Sequence, residues 1–446
     1  MSFKLSIGAL FLFLALSGAA MAQTLSPEER AKLQAEYDQL QEEIVKWQKV
    51  LDETRAKKNT IQGDVSALDA QIKKAQAEIN QRNNTISRLS SEIRQKSARI
   101  STLEERLDRG KESLAKLLRE KYQSDQQSLA VLALSAQDLS DFYATVDSID
   151  IIDRELQSLF DELRGVKQQT EEEKAALAER QDKEFDARYE VEVKKKEIAT
   201  DQAQKKELLA VTASEERSYS QVLADRQRRA EEIRSALFEL RDTQGISFET
   251  ALAYAQEASG KTGVRAAFIL GILRQESNLG KNVGQCLLTD ATTGAGKGKN
   301  TGTPFARVMR ADEVRNDAAV FLNLMQKLGR DPYSTPVSCP IAGVGYGGAM
   351  GPSQFIPTTW VGLESRISSL VGVSTPDPWS PKHAIHATAL FLADLGAGRG
   401  TPSAEREAAG RYYAGGNWAT LGLGYANSVL GFAAEYQANI DFLNDL

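Results

Sequence analysis

The sequence predicts an all-α chain in which a long antiparallel coiled-coil hairpin is followed by an α-rich domain. The first observation is that no proline lies between Pro27 and Pro304, while 27 of the 32 glycines lie at or after Gly245. The second is a seven-residue apolar repeat before that boundary, and the third is a set of short helical patterns after it. Long helices exclude proline and glycine, whereas turns need them, so the architecture changes near residue 245.

The charge of the chain belongs to its first part. The 446 residues carry a net charge of −6, with 55 Lys and Arg against 61 Asp and Glu, and residues 246–446 hold 16 of each sign. A nucleic-acid-binding protein concentrates positive charge on one face. We therefore predict no nucleic-acid partner.

The N-terminus has the pattern of an export signal. Lys4 precedes an apolar run over residues 5–20, and the small-residue sequence A-M-A follows at 20–22. This pattern predicts a signal peptide at residues 1–22 and export to the periplasm or the extracellular space. An uncleaved membrane anchor is the alternative, although the apolar run is short for a span, which needs about 20 residues.

Two long arms make up the predicted hairpin. The first keeps an unbroken heptad from Leu33 to Leu117, and the second runs from about 151 to 240. A sustained repeat of seven residues is typical of a left-handed coiled coil. Because each arm has about 90 residues, we predict that they fold back on each other over residues 27–242. A parallel dimer of one continuous rod is the competing geometry.

The segment between the arms, at about 123–150, abandons the heptad and is apolar. Its apolar residues either cap the end of the hairpin with a small core or form a docking surface for a partner. The candidate partner-binding residues are Leu129, Val131, Leu132, Leu134, Leu139 and Phe142.

The sequence from Tyr122 to Asp150 resembles the coiled-coil tip of cell-wall hydrolase regulators of the EnvC and PcsB type. In those proteins the hairpin engages the extracellular part of the FtsE/FtsX ABC transporter during cell division. The resemblance implies a partner for this chain, namely the extracellular domain of an FtsX-like transporter subunit.

The short helical patterns over residues 246–446, separated by Gly and Pro, predict a compact domain of short helices without a convincing strand. The predicted helices are 248–259, 265–275, 312–328, 353–369, 383–395, 405–413 and 425–442. Its two cysteines, Cys286 and Cys339, predict a disulfide, because paired cysteines in an exported chain are usually bonded. A catalytic cysteine with His383 or His386 as its base is the alternative.

One predicted helix ends its apolar face on a carboxylate. Phe268, Ile269, Ile272, Leu273 and Glu276 share a stripe at helical spacing. Burial favours the protonated acid, which is what a general acid needs near neutral pH. In the alternative interpretation, Glu276 points to solvent or pairs with a nearby Arg or Lys.

Four motifs follow in order. The helix ends E-S-N-L-G at 276–280, and G-A-M-G-P-S-Q-F-I-P-T-T-W follows at 348–360. D-P-W-S-P then begins at Asp377, and Y-Y-A-G at 412–415 precedes Tyr425. Together they closely resemble the lytic transglycosylases of the goose-lysozyme-like superfamily, which implies a lysozyme-like catalytic domain at 246–446.

The resemblance implies cleavage of the β-1,4 bond between N-acetylmuramic acid (MurNAc) and N-acetylglucosamine (GlcNAc) in peptidoglycan glycan strands. Glu276 would be the catalytic acid and then the base, giving a 1,6-anhydromuramyl product. The residues implied to line the sugar groove are Ser277, Tyr346, Met350, Gln354, Tyr412 and Tyr425, with Tyr412 or Tyr425 steadying the acid.

Two alternatives remain from the sequence. A muramidase-type hydrolase needs a second carboxylate, for which Asp290, Glu364 and Asp394 are candidates. A non-catalytic coiled-coil activator or glycan-binding scaffold is the other alternative, against which the intact Glu276 argues.

The sequence departs from the family pattern in three places. Tyr413 stands where many members have Asn. The Asp-rich, calcium-like loop of one branch is missing, so we predict no metal and no cofactor. Finally, an insert that contains G-A-G-K-G-K-N at 294–300 lacks the spacing of a phosphate loop, and we expect a flexible loop over the glycan groove.

Overall fold

The computed structural model describes residues 35, 42, 44–46, 49, 61–125, 139–213, 245–341 and 345–444. The predicted signal peptide and the tip residues Leu129, Val131, Leu132 and Leu134 lie outside the described residues, as does most of each arm before 61 and after 213. Leu139 and Phe142 lie in a helix whose backbone alone is described there. The described residues fall into two units, one built on Asn80–Ala187 and the other on 43–79 together with 188–446.

Helices α1 (Ile61–Asp125) and α2 (Leu139–Ala213) pack against each other as an antiparallel hairpin. In the first unit, Lys96 pairs with Glu173 at 2.7 Å, and further along α1 Arg106 pairs with Glu162 at 2.7 Å. The partner's number falls along α2 as the number rises along α1, which is the order of antiparallel helices. In the second unit, α1 and α2 are also joined by ion pairs, one of them between Lys194 and Glu78 at 3.2 Å. The predicted hairpin is confirmed.

Many of the buried residues of α1 stand at heptad positions. Ile79, Ile86 and Ile100 are at most 9% exposed, and so are Leu89 and Leu103 in the other register. These residues form the apolar seam on which a coiled coil depends.

The rest of the second unit is mainly helical. Its helices are α3 (Phe248–Thr262), α4 (Ala266–Ser277), α5 (Asp317–Leu328), α6 (Pro357–Val371), α7 (Pro381–Asp394), α8 (Pro402–Ala414) and α9 (Leu423–Asn444). Short 3-10 turns occur at Ala397–Arg399 and Gly415–Asn417, and a π-helical turn at Trp418–Gly422 leads into α9. The all-α prediction is confirmed. None of the described helices is long and apolar enough to cross a membrane.

Two predicted helix starts were wrong by four residues or more, because α6 begins at Pro357 and not at residue 353, and α5 also begins later than expected. Helix α5 begins at Asp317 and not at residue 312. The carboxylate of Asp312 accepts hydrogen bonds from the backbone of Val314 at 3.1 Å and Arg315 at 3.0 Å, which closes a separate turn. Asn316 then caps α5 by accepting from the Ala319 N–H at 2.9 Å.

The prediction that this domain lacks strands was also wrong, as was the loop expected at 294–300. Strands β1 (Cys286–Asp290), β2 (Ala295–Gly298) and β3 (Pro304–Phe305) form a small antiparallel sheet in that order. Glycine allows β2 to pack closely, because a Cβ atom on Gly296 would lie 2.2 Å from the carbonyl oxygen of Leu287. Such short strands have too few side chains to show an alternating pattern.

The predicted disulfide joins Cys286 to Cys339 across a separation of 53 residues, with the Cα atoms 5.0 Å apart. Cys286 also exchanges two backbone hydrogen bonds with Val337, at 3.0 and 2.9 Å. The sheet is therefore fastened to the chain segment that leads into the glycine motif. Its buried face shares one core with Phe321 of α5 and Trp360 of α6.

Candidate active site

Helix α4 carries Glu276 at the end of a buried apolar face. Phe268, Ile269, Ile272 and Leu273 are fully buried, and Glu276 continues their stripe as a partly buried side chain. Helix α9 packs closely on α4 at Gly271, where a Cβ atom would lie 2.9 Å from the carbonyl oxygen of Val429. This close packing brings the two helices together beside the carboxylate.

Tyr425 of α9 donates its hydroxyl to Oε1 of Glu276. Burial raises the pKa of Glu276 from its ordinary value of 4.5 to about 7, and the hydrogen bond from Tyr425 opposes part of this rise. The neighbouring Arg274 pairs instead with Glu435 at 2.9 Å and stacks over Phe432 at 4.2 Å. The carboxyl group is therefore poised to hold a proton near neutral pH, as a general acid must.

The chain turns sharply after Glu276. Asn278, Leu279 and Gly280 follow in the left-handed region, with φ values of 51°, 55° and 79°. Ser277 is 1% exposed, and its hydroxyl donates to the Pro352 carbonyl at 2.6 Å while accepting from the Gly280 N–H at 2.9 Å. Ser277 thus joins the end of α4 to the glycine motif, rather than presenting its hydroxyl to solvent.

The glycine motif forms a tight loop below the helix end. Gly351 has a φ of 62°, and a Cβ atom there would lie 2.0 Å from the Pro378 carbonyl oxygen. Gln354 also lies in the left-handed region, with a φ of 52°, and its Nε2 donates to the Gly351 carbonyl at 2.7 Å. Met350 is 1% exposed and pairs with Phe355 across the loop. Strained backbone held this firmly is common at active sites.

Helices α7 and α8 hold this loop through Ser353. Its hydroxyl donates to the Ala384 carbonyl at 2.8 Å and accepts from Thr388 at 2.7 Å. The Tyr412 hydroxyl donates to the Ser353 carbonyl at 2.6 Å. Of the two tyrosines expected to steady the acid, Tyr425 hydrogen-bonds to Glu276, while Tyr412 fixes the loop.

Tyr346 lies at the start of the glycine motif and is 41% exposed. The guanidinium groups of Arg307 and Arg310 lie 5.8 and 5.9 Å from its ring centre. The Gly347 N–H donates to the Arg307 carbonyl at 3.0 Å, which ties the motif to the segment after β3. Tyr346 therefore presents an exposed aromatic ring with two arginine side chains beside it.

Sequence reasoning gave no role to Tyr413, which the structure brings to the site. Its ring stacks on that of Tyr425, with centroids 5.0 Å apart and planes at 12°. The signal in the sequence was that this position departs from the motif expected above, but a stacked partner twelve positions away leaves no local pattern.

The other candidate acids are engaged elsewhere. Glu364 binds Lys327 at 3.0 Å, and Asp394 makes a paired contact with Arg366 at 2.6 and 2.7 Å. Asp290 closes the turn after β1 by accepting from the Thr292 N–H and the Thr293 hydroxyl, both at 2.8 Å.

The two histidines hold backbone groups. Nδ1 of His383 accepts from the Asp377 N–H at 3.0 Å, and Nδ1 of the buried His386 lies 2.8 Å from the Lys382 carbonyl. Burial lowers the pKa of both rings. Both cysteines are bonded to each other, so neither is available as a nucleophile.

A family model described as the transglycosylase SLT domain matches residues 187–412, slightly more than half of the chain. The chain belongs to this family. It is a lytic transglycosylase-type enzyme, and the SLT domain implies binding to peptidoglycan glycan strands. No curated protein and no solved structure matches the chain.

The SLT match covers Glu276 and the glycine motif and ends at Tyr412, before Tyr425. It begins inside α2, two residues before Tyr189. The Tyr189 hydroxyl donates to the Leu430 carbonyl of α9 at 3.4 Å, so the last part of α2 contacts the helix that carries Tyr425.

Proposed function

We propose that this SLT-family enzyme cleaves the β-1,4 bond between MurNAc and GlcNAc in peptidoglycan and releases a 1,6-anhydromuramyl product. The observation that carries the proposal is the carboxyl group of Glu276, whose pKa is raised to about 7 by burial. A carboxylic acid that keeps its proton near neutral pH can protonate a sugar oxygen, and its conjugate base can take a proton back.

In the first half of the reaction, Glu276 donates its proton to the glycosidic oxygen. The bond from the muramyl C1 to that oxygen breaks, and the bonding electrons leave with the oxygen, which becomes the 4-hydroxyl of GlcNAc. Positive charge develops on C1 and the ring oxygen. The Glu276 carboxylate that remains is stabilised by the Tyr425 hydroxyl.

In the second half, the Glu276 carboxylate takes the proton of the muramyl 6-hydroxyl while that oxygen bonds to C1. The acid is restored, no water is consumed, and the sugar closes into a 1,6-anhydro ring. One group acts in both halves, so a second carboxylate is unnecessary. The engagement of Asp290, Glu364 and Asp394 in turns and ion pairs supports this route over a two-carboxylate hydrolysis.

We assign the groove residues different tasks. Tyr346 is exposed and is proposed to contact a sugar or its substituents directly. Gln354 is proposed to present its remaining amide groups to the substrate. Ser277, Met350 and Tyr412 shape the groove from below by fixing the glycine loop.

We further propose that residues 246–446 form the catalytic domain of an exported enzyme and that the hairpin at 27–242 positions or regulates it. The resemblance of the tip to cell-division regulators supports docking on an FtsX-like transporter subunit. Deleting residues 124–147 should abolish recruitment to membranes that contain the transporter while leaving cleavage by the purified chain intact. Unchanged recruitment would sink the transporter proposal and leave the enzymatic one standing.

Digestion of purified peptidoglycan, with mass spectrometry of the products, tests the chemistry. The wild-type chain should release anhydromuramyl ends, which are lighter than reducing ends by one water, and Glu276→Gln should release none. Glu364→Gln is the matched control, because it removes a carboxylate that binds Lys327 on the surface, and it should be fully active. Reducing ends would indicate a hydrolase, and no products from any variant would indicate a scaffold.

A further inference from the structure

Tyr413 is a half-exposed aromatic residue at the end of α8, with 58% of its surface accessible. Its neighbour Tyr412 turns inward, where its ring packs 5.4 Å from Phe355 and 5.4 Å from Phe391. Tyr413 instead covers Tyr425. Adjacent helical residues point about 100° apart, so one helix end supplies both a core aromatic and a surface aromatic.

The two tyrosine rings are nearly parallel. Their centroids lie 5.0 Å apart and their planes differ by 12°. A stacked pair of this kind is favoured over separated rings by a factor of about 2 to 10. Two contacts therefore connect Tyr413 at the surface to the Glu276 carboxyl group. They are the stack of Tyr413 on Tyr425 and the hydrogen bond from the Tyr425 hydroxyl to Glu276.

We propose that Tyr413 is a positioning residue of this active site: its ring holds the Tyr425 ring against α4, so that the Tyr425 hydroxyl stays on Glu276 and water is kept from that hydrogen bond. The inference rests on the proposed function of Glu276 as the catalytic acid. It assigns a role to a residue for which the sequence motifs gave none.

The Tyr425 hydroxyl, at the inner end of this stack, is the polar group that donates to Glu276. The titratable groups that face it are Tyr425, which donates to it, and Tyr412, whose buried hydroxyl binds Ser353. The cation of Arg274 is directed to Glu435. Loss of the Tyr413 ring should admit water to Glu276 and lessen the burial that raises the pKa of this carboxyl group. Burial is the larger of the two effects on this pKa, so the fall that follows should outweigh the rise from a weaker Tyr425 hydrogen bond.

The test compares Tyr413→Ala, which removes the ring, with Tyr413→Phe, which keeps a ring able to stack. Soluble glycan strands of defined length are the substrate, and kcat, KM and the pH profile are measured for the purified chain. Tyr413→Ala should lower kcat about three- to ten-fold with little change in KM and should move the alkaline limb of the profile to lower pH. Tyr413→Phe should retain most of the wild-type kcat and the wild-type limb.

Tyr333→Ala is the matched control, since Tyr333 is 47% exposed in the turn that follows α5, and it should not alter kcat or the profile. If Tyr413→Ala fails to fold, Tyr413→Leu replaces it, because leucine fills space without a ring. A rise in KM with unchanged kcat and an unchanged limb would overturn the proposal in favour of a simple sugar contact. Equal kinetics of the Ala and Phe variants would also overturn it.

Glu276→Gln separates the two claims. If that variant remains active, the proposed function fails, whatever Tyr413 does. If it is inactive while Tyr413→Ala behaves as the wild type, only the positioning role fails.

Discussion

Tyr425 on α9 donates its hydroxyl to Oε1 of Glu276 on α4, although 149 positions separate the two residues. In the proposed reaction, neither helix supplies the whole acid–base group alone. Helix α4 supplies a buried carboxyl group, and α9 supplies the donor that stabilises its ionised form. The chemistry of the site depends on the packing of these two helices at Gly271.

The activity of the wild-type chain should fall as pH rises through about 7, because burial raises the pKa of Glu276 to about that value and the acid must be protonated to act. A pH profile of kcat/KM on soluble glycan strands checks this. An alkaline limb near the ordinary glutamate value of 4.5 would contradict the assignment of Glu276 as a buried acid.

Glu276→Gln should stabilise the folded chain above neutral pH. The folded-state pKa of Glu276 lies above its ordinary value, so the wild type loses stability as pH rises from about 4.5 to about 7, while glutamine never ionises. The gain should be about 2–3 kcal/mol at pH 8 and close to zero at pH 4. Urea unfolding at both pH values measures it, and equal effects at the two would be inconsistent with the raised pKa.

Tyr425→Phe should lower kcat about ten-fold, because it removes one hydrogen bond to a charged group. That hydrogen bond lowers the pKa of Glu276, so the alkaline limb should move to higher pH, opposite to the shift expected for Tyr413→Ala. Tyr412→Phe is the control, since its hydroxyl binds the Ser353 carbonyl. It should cost about 1 kcal/mol of stability and leave the limb in place. A shared shift in both variants would contradict the different tasks of the two hydroxyls.

Gly351→Ala should destabilise the second unit by more than about 2 kcal/mol, because it adds a Cβ at positive φ. That atom would meet the Pro378 carbonyl oxygen at 2.0 Å. Gly362→Ala in α6 meets nothing within 4 Å and should instead stabilise by about 0.5–1 kcal/mol. Thermal unfolding followed by tryptophan fluorescence compares them, and a similar change in both would show that the loop backbone adapts.

Arg265→Met should destabilise the second unit by about 3–5 kcal/mol, because it leaves Glu405 as an uncompensated buried charge. Glu405 is 2% exposed and accepts two hydrogen bonds from Arg265, at 3.0 and 2.8 Å. Arg366→Met removes the similar pair with Asp394 at the surface and should cost less than about 1 kcal/mol. Urea midpoints that fall equally in the two variants would mean that burial does not distinguish the pairs.

Local and periodic features of this protein were predictable from its sequence. The heptad predicted the hairpin because each arm repeats one apolar seam. The stripe ending at Glu276 predicted a partly buried carboxyl group, because its apolar neighbours lie on the same helical face. The disulfide followed from the pairing of two cysteines in a chain that was predicted to be exported.

Contacts that depend on tertiary structure were not predictable. Strand β2 contains two glycines. They allow the backbone to approach its neighbours closely, but they give no alternating side-chain pattern in the sequence. The stack of Tyr413 on Tyr425 brings together the end of α8 and the start of α9, which the π-helical turn at Trp418–Gly422 separates in the sequence. Tyr189 reaches the Leu430 carbonyl from an arm whose sequence shows only its coiled-coil repeat.

Helix α4 ends at Ser277, so Glu276 lies in its last turn. The peptide dipoles of a helix place partial negative charge at its C-terminal end, where carbonyl oxygens are left without intrahelical donors. A carboxylate in the last turn therefore faces the electric field of its own helix. The direction in which the chain runs through α4 thus acts with burial to keep the proton on Glu276, whereas the field at the first turn of a helix favours the ionised form.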